Sequence, residues 1–444
     1  MKTIKFRIDE DIPVVAEADV LVVGGGPGGL GAAIMAARMG ATVVLAERFG
    51  QLGGMASAGE VSPFMWNHWR PDPNRTELVA LDKPIYGEWI RRMAAYLPPE
   101  TVEANGGLRP EADTNFSHII SKEYAALAAE DLCLEAGVKI LYHFELVKAI
   151  VEDGVIQAAV FATKSGFAAI RAANYIDATG DADLTVLAGG RTDIGGPSGY
   201  CQPMTLCFKM SNIDQSRLPE DWRTKRYEAA VAAGKIHCPR ENILCFATFD
   251  DDTLHFNTTR IVKRSPVDAL DLNEAELEAH RQMREIARWL IAEVPGFEHA
   301  RISSSAARIG VRESRRIRGI RRLGREVFTE RRKFPDAVLR CNYTIDIHNP
   351  TGTGTEIESM PNTEYFEIPY GCIVPEGVKN LVVGGRPISV DQALHSSCRV
   401  MPPAISLGQA AGVAAAMSCQ SGTALPDLDG VKVRGQLRAL GANL

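Results

Sequence analysis

Gly24, Gly26 and Gly29 follow the apolar run Asp19–Val23 and precede a segment of helical composition, and Glu47 lies 18 residues beyond the last of them. Gly24 permits a tight turn, Gly26 lets the backbone approach a diphosphate, and Gly29 lets helix and strand pack closely. With Pro27 and Gly28 between them, these residues put a helix N-terminus against the phosphates. Glu47 stands where a carboxylate accepts hydrogen bonds from ribose hydroxyls and disfavours a 2′-phosphate. At this level NAD and FAD both fit.

Other residues have the types needed for proton transfer and anion binding. His395 and Arg399 directly precede the stretch "VMPPAISLGQAAGVAAAM", and His348 sits in "IDIHNP". Either histidine can act as acid or base. Arg312 opens the dense run "RESRRIRG", with Arg315, Arg316 and Arg318, which offers either bidentate carboxylate binding or a solvated helix face paired with its own carboxylates. Tyr370 can donate to an oxyanion or simply pack. Cys372 has no CxxC partner, which disfavours a disulfide-reductase chemistry.

The elements that must position these residues are legible in outline. Asp19–Val23, Leu30–Met39 and Ala41–Ala46 read as strand, helix, strand. Ser121–Ala136 reads as a helix ending at Gly137. Residues 138–179 read as a small β-meander followed by a strand returning to the main sheet. A further helix is expected from Asn273 as N-cap with Glu276 three residues on, placing Leu277, Met283, Ile286, Ala287, Leu290 and Ile291 on one face. "IDIHNP" is expected to be a loop because Pro350 follows. Residues 57–116, with Phe64, Trp66, His68 and Trp69, break the pattern and are expected to cap the site.

Composition narrows the function. In 444 residues, 45% hydrophobic and 23% charged residues are ordinary for a globular protein. A net charge of −6 gives no basic field for nucleic acid. No stretch reaches the roughly 20 apolar residues of a spanning helix, and residues 1–18 hold no apolar signal region. The nine cysteines are scattered without CxxC spacing, which suits reduced thiols. A cytoplasmic protein with a small-molecule substrate, no nucleic-acid or membrane partner and no metal is expected.

The segments "AERFGQLGGMAS", "YIDATGDADL", "QPMTLCF", "IGVRESRRIRG", "IDIHNP", "LVVGGRPIS" and "GQAAGVAAAM" occur in order. Together with the glycine motif they resemble the two-dinucleotide-binding-fold flavoproteins, in particular the FAD-dependent oxidoreductase family related to fumarate reductase flavoproteins and to the flavoprotein that modifies tRNA wobble uridine. The resemblance implies an α/β fold: a Rossmann-like, glutathione-reductase-type FAD-binding domain with an inserted α+β substrate domain. The FAD-binding domain would comprise residues 1–60, 117–195 and 370–444, with 61–116 as an excursion or lid and 196–369 as the substrate domain.

The resemblance further implies that FAD contacts Arg48, Gly54, Met55, Leu146, Val147, Thr179, Gly180, Asp181, Gly385, Arg386, Ile405 and Ser406 as well as the first glycine motif. The helix entered through Pro402 and Pro403 would face the flavin. His395 would then transfer protons and Arg399 bind an anion or carbonyl, with His348, Tyr370 and Arg312 as further catalytic candidates. The implied reaction is hydride transfer at flavin N5 with a small polar metabolite, carboxylated ones included. An RNA-modifying flavoprotein and a non-redox nucleotide-binding module are the alternatives. No second glycine fingerprint for NAD(P)H is present, so the electron partner is open between oxygen, a quinone, another protein and a second organic substrate. A homodimer is expected for this class.

Overall fold

The computed structural model describes residues 3–5, 11–74, 78–105 and 121–444. Strand β1 (Val14–Val23), helix α1 (Pro27–Arg38) and strand β2 (Val43–Glu47) form the expected βαβ unit. β1 and β2 run parallel, with Val20 opposite Val43 and Val23 opposite Ala46. All of β2 and the last four residues of β1 are buried, which suits unbroken apolar runs covered on both faces. Helices α2 (Ile85–Ala94) and α3 (Lys122–Glu135) follow. Ser121 caps α3, its hydroxyl oxygen accepting from the Tyr124 amide at 3.1 Å.

Strands β3 (Lys139–Tyr142), β4 (Glu145–Glu152), β5 (Val155–Thr163) and β6 (Gly166–Asp177) come next. β4, β5 and β6 form the meander, but its last strand and the returning strand are one element. The first part of β6 pairs with β5, Ile170 opposite Ala159, while residues 169–177 run parallel to β1 and bring Asp177 beside Val23. A twelve-residue strand can serve both neighbours.

A second sheet is antiparallel and contains β7 (Phe208–Ser211), β8 (Cys245–Ala247), β9 (Leu254–Phe256) and, after helix α4 (Ala269–Glu293), β10 (Arg301–Ser305), in the order β8-β9-β7-β10. It has its own core around Phe208, Phe256, Trp289 and Leu290. α4 starts earlier than expected. Asp268 is the N-cap, accepting from the amides of Leu270 and Asp271, so Asn273 lies inside the helix. Leu277 is 57% exposed and does not share the buried face. Glu276 caps nothing in its own helix; its carboxylate accepts from the Ile309 amide at 2.7 Å.

The "RESRRIRG" run is likewise not a helix face, since Arg315–Ile317 pairs as a strand with Thr192–Ile194. "IDIHNP" is a hairpin strand rather than a loop: β11 (Ile345–His348) pairs with β12 (Thr355–Glu358), and Pro350 falls in the turn. Strand β13 (Leu381–Val383) then joins the main sheet parallel to β6. That sheet has seven strands, in the order β3-β2-β1-β6-β5-β4 with β13 beside β6.

Helices α5 (Gln392–Cys398), α6 (Met401–Ser421) and α7 (Gly430–Ala439) close the chain. The small residues of α6 have a direct use. A Cβ on Gly408 would sit 2.0 Å from the Gly28 carbonyl oxygen, and one on Gly412 would sit 2.2 Å from that of Ala32. Reciprocally, a Cβ on Gly31 would meet the Ile405 carbonyl oxygen at 2.4 Å. The two helices therefore touch backbone to backbone. Among the described residues no single helix is long and apolar enough to cross a membrane.

The described part of the excursion is packed on the core rather than poised over the site, while residues 75–77 and 106–120 of the expected lid lie outside the described residues. Phe64 is buried against Tyr86 and Trp89. Gln409 on α6 accepts from the Ile85 amide and donates to the Lys83 carbonyl, each at 3.1 Å. Asp82 is buried there too, accepting from Ser406 at 2.6 Å and from Asn67 at 2.8 Å.

Burial pushes the Asp82 carboxyl up to about 7, against the opposing effect of those two hydrogen bonds. A carboxyl raised on folding favours the native state below its unfolded value and loses that contribution as pH rises through the folded one. Unfolding free energy measured against pH is therefore expected to fall between about pH 4 and pH 7 in the wild type relative to Asp82→Asn. Parallel pH curves for the two proteins would contradict this.

Candidate functional site

A cleft opens where the carboxyl ends of β1 and β6 meet the start of α1, the usual place for ligands in parallel α/β sheets. It encloses about 1130 Å³ counting the solvent at its open mouth. Gly24 turns with φ +102°, and a Cβ there would lie 2.4 Å from the Ala178 carbonyl oxygen. A Cβ on Gly29 would sit 1.9 Å from the Gly24 oxygen, so Gly29 serves packing and does not reach the cleft. Gly26 differs: the nearest atom to its Cβ position is 3.8 Å away, and it faces the cleft beside Pro27 and Gly28. Space is kept at Gly26 for something outside the chain.

Glu47 is buried and fixed, accepting from the Gly25 amide at 2.7 Å and from the Phe49 amide at 2.9 Å. Each carboxylate oxygen retains capacity for another donor. Asp177 organises the opposite rim through Thr179 and Thr185, each hydroxyl donating to it at 2.7 Å. That presents Thr179 and Gly180 to the cleft, where Arg48, Gly54, Met55, Leu146, Gly385 and Arg386 also contribute. A glycine cradle, a fixed carboxylate and a cationic rim match the diphosphate and ribose of a dinucleotide.

Besides Gly29, four residues expected at the cofactor lie elsewhere. Val147 is on the opposite side of the β4 pleat from Leu146 and is 39% exposed. Ile405 and Ser406 are rotated past the cleft-facing Met401 and Ala404, with Ile405 against α1 and Ser406 on Asp82. Asp181 sits behind the lining and holds Arg386 at 2.5 Å. Burial raises the Asp181 carboxyl, but Arg386 and Arg308 outweigh it and keep the group ionised.

The catalytic candidates divide. Tyr370 is buried with its hydroxyl donating to the Leu425 carbonyl at 2.8 Å, a packing role away from the cleft. His395 is fully buried outside the lining. Burial, reinforced by Arg316, Arg386 and Arg399, holds it neutral. Arg399 does line the cleft and pairs with Asp346 at 3.2 Å.

Asp346 also faces His348 Nε2 at 3.5 Å, and His348 Nδ1 lies 3.2 Å from the Thr355 hydroxyl. These partners favour the neutral tautomer with the proton on Nε2. Burial and then the Arg312 charge push His348 down to about 3. Burial would raise Asp346, but the His348 hydrogen bond and the Arg399 and Arg312 charges hold it well below the carboxylate range. Arg312 itself is pushed down to about 9, by burial and then by Arg399, and donates to the Thr205 hydroxyl at 3.2 Å. Arg399, Arg312 and His348 thus meet around Asp346, next to the cleft.

The rest of the basic run is neutralised within the fold. Arg315 pairs with Asp183 at 2.8 Å, Arg316 with Glu313 at 2.6 Å and Arg318 with Asp193 at 2.7 Å. None of Phe64, Trp66, His68 or Trp69 lines the cleft. Arg308, Phe49 and Phe144 do, and sequence reasoning missed them. Arg308 follows "SSSAA" with no motif of its own, though it directly precedes "IGVRESRRIRG".

A family model described as FAD dependent oxidoreductase matches residues 19–437. No curated protein matches the chain. Among solved structures, a geranylgeranyl bacteriochlorophyll reductase-like protein from Thermoplasma acidophilum is 14% identical, over 96% of this chain and 84% of that one, with a TM-score of 0.46. The flavin-dependent brominase Bmp2 is 13% identical over 96% and 83%, with a TM-score of 0.44. The p-nitrophenol 4-monooxygenase PnpA from Pseudomonas putida is 13% identical over 69% and 70%, with a TM-score of 0.37.

The two kinds of glycine should respond differently to alanine. Gly26→Ala is expected to fold with wild-type circular dichroism but to bind FAD roughly 10-fold or more weakly, the scale of one lost charge-assisted hydrogen bond. Gly29→Ala is expected to lower the melting temperature of the cofactor-free protein as well. Equal effects of the two on the cofactor-free fold would refute the distinction.

Proposed function

The chain belongs to the FAD-dependent oxidoreductase family, with FAD as its cofactor, and on that premise we propose that it oxidises or reduces a small polar metabolite carrying a carboxylate. The observation that carries this reading is Arg399, which lines the cofactor cleft while tied to the Asp346, His348 and Arg312 cluster. Its buried Nε has no hydrogen-bond partner among the described residues. Buried donors left open in this way suit an arriving carboxylate.

When bound, FAD supplies two-electron exchange at N5 of its ring. Glu47, Gly26, Thr179, Gly180 and Arg386 hold its adenosine and diphosphate portion, and Met55, Met401 and Ala404 border the remaining space. Arg399 and Arg312 bind the substrate carboxylate, and Asp346 fixes the Arg399 guanidinium. His348, neutral in the free protein with its proton on Nε2, takes or returns the substrate proton at Nδ1. Asp346 stabilises the imidazolium so formed.

The finer kinship read from the motifs, to fumarate reductase flavoproteins and the tRNA-modifying flavoprotein, belongs to this proposal. An RNA substrate is disfavoured because Arg315, Arg316 and Arg318 are each held by a carboxylate of the fold. A non-redox use of the nucleotide leaves the Arg399 cluster without a purpose. Electrons exchange with oxygen, a quinone, another protein or a second organic substrate.

The direct test is anaerobic titration of the yellow protein with hydroxy acids, amino acids, neutral alcohols and sugars, with and without chemical pre-reduction. We expect the flavin bands to respond to carboxylates, and Arg399→Gln to lower kcat/KM roughly 10- to 100-fold, as for a lost charged hydrogen bond. A response confined to neutral compounds would overturn the carboxylate assignment.

A second expectation concerns pH. The neutral His348 is the active form, available above its depressed value of about 3. Arg312→Gln removes a charge that depresses it, so the acid limb of kcat/KM should move up toward the ordinary histidine value of about 6.5. An acid limb that does not move would exclude His348 as the base.

A further inference from the structure

Arg308 is the one cleft residue contributed by the segment that leaves the second sheet. It follows β10 directly, and its neighbours are held from three directions. The Ala306 amide donates to the Cys207 carbonyl and the Gly310 amide to that of Thr205, at 2.9 and 2.7 Å, both residues flanking β7 or the strip before it. The Ala307 amide donates to the Ala58 carbonyl at 2.9 Å, and Ala58 itself lines the cleft. The Ile309 amide donates to Glu276 of α4 at 2.7 Å. Backbone anchored on both sides of a residue aims its side chain at low entropic cost.

That side chain is an anomaly of charge. The guanidinium is half-buried in the cleft wall, 5.8 Å from the centre of the Phe49 ring, with no hydrogen bond and no carboxylate within 4 Å among the described residues. Arg315, Arg316, Arg318 and Arg325, close by in sequence, each have a carboxylate partner. Arg48 lies 5.0 Å from the centre of the same Phe49 ring, and Arg386 forms part of the same lining. Burial and the neighbouring Arg48 charge push Arg308 down to about 10, against the more distant carboxylates of Asp181 and Glu47. The one anionic element suited to three converging guanidinium groups beside a glycine cradle is a diphosphate.

We infer that Arg308 is a diphosphate-binding residue supplied from the second sheet, so that the bound dinucleotide fastens that sheet to the parallel one. Glu276 is a positioning residue for it, acting through the Ile309 amide. This rests on the cofactor and not on the substrate reading; failure of the carboxylate proposal leaves it intact.

The test strips FAD from the full-length protein and measures Kd for FAD by quenching of flavin fluorescence, with ADP and adenosine as competitors. For Arg308→Gln, Kd for FAD and for ADP should rise roughly 10- to 100-fold, the scale of one lost charge-assisted hydrogen bond, while the adenosine constant stays within a factor of two or so. Arg308→Lys keeps the charge without the planar fork and should fall between. Glu276→Gln should weaken ADP in the same direction by less.

Limited proteolysis gives a second readout. FAD should protect the wild type between the two sheets, and Arg308→Gln should lose most of that protection even at saturating FAD. Equal losses for ADP and adenosine would make Arg308 an adenine-stacking residue and overturn the inference. Unchanged constants for both would overturn it as well.

Discussion

The contact on which the remaining architecture depends is between two backbones. Helices α1 and α6 approach until glycine is the only residue that fits at Gly28, Gly31, Gly408 and Gly412. A Cβ on Gly28 would also meet the Gly384 carbonyl oxygen at 2.3 Å, so the same approach brings the end of β13 onto the start of α1. Gly385 and Arg386 reach the cleft because of it, as do Met401 and Ala404 at the entry to α6. Dispersion between closely fitted backbones stabilises each such contact only slightly, but no adaptable side chain lies between them to absorb a misfit. The cofactor cleft therefore inherits its shape from helix packing.

Charge is distributed around that rigid frame with the cofactor in view. Much of the basic run is closed off with carboxylates, as Arg316 is by Glu313 in the buried interior. At the cleft, Arg308 has no carboxylate within 4 Å among the described residues, and Arg399, though paired with Asp346, keeps an open buried Nε. The separation matters because an unpaired buried cation costs several kcal/mol in general. Placing that cost at Arg308 makes an anionic ligand part of the stable state of the protein.

The amino-terminal βαβ unit, the glycine motif and Glu47 were legible in the sequence because each is local: a turn, a helix start and a strand end within 30 residues. The contribution of Thr179, Gly180 and Arg386 was legible only through resemblance. Ile405, Ser406 and Val147 went astray for a geometric reason, since a rotation of one residue along a helix or strand decides which face is presented. His395 and Tyr370 look catalytic by type, yet burial against the core settles their roles, and burial is a long-range property. The start of α4 was misjudged because a capping pattern at Asn273 and Glu276 competes with a stronger acceptor at Asp268. Arg308 carried no signal at all, as its meaning lies in the absence of a partner.

The closure of the cleft by elements from opposite ends of the chain also has a temporal side. During synthesis the glycine cradle and Glu47 emerge well before the wall formed by Arg386, Arg399, Met401 and Ala404 exists. Until then α1 has no α6 to lie against, and its glycine face, so poor in side chains, has little to bury. Cofactor capture consequently waits until α6 has been made. A ribosome stalled anywhere short of α6 would carry the whole nucleotide fingerprint and still hold no flavin.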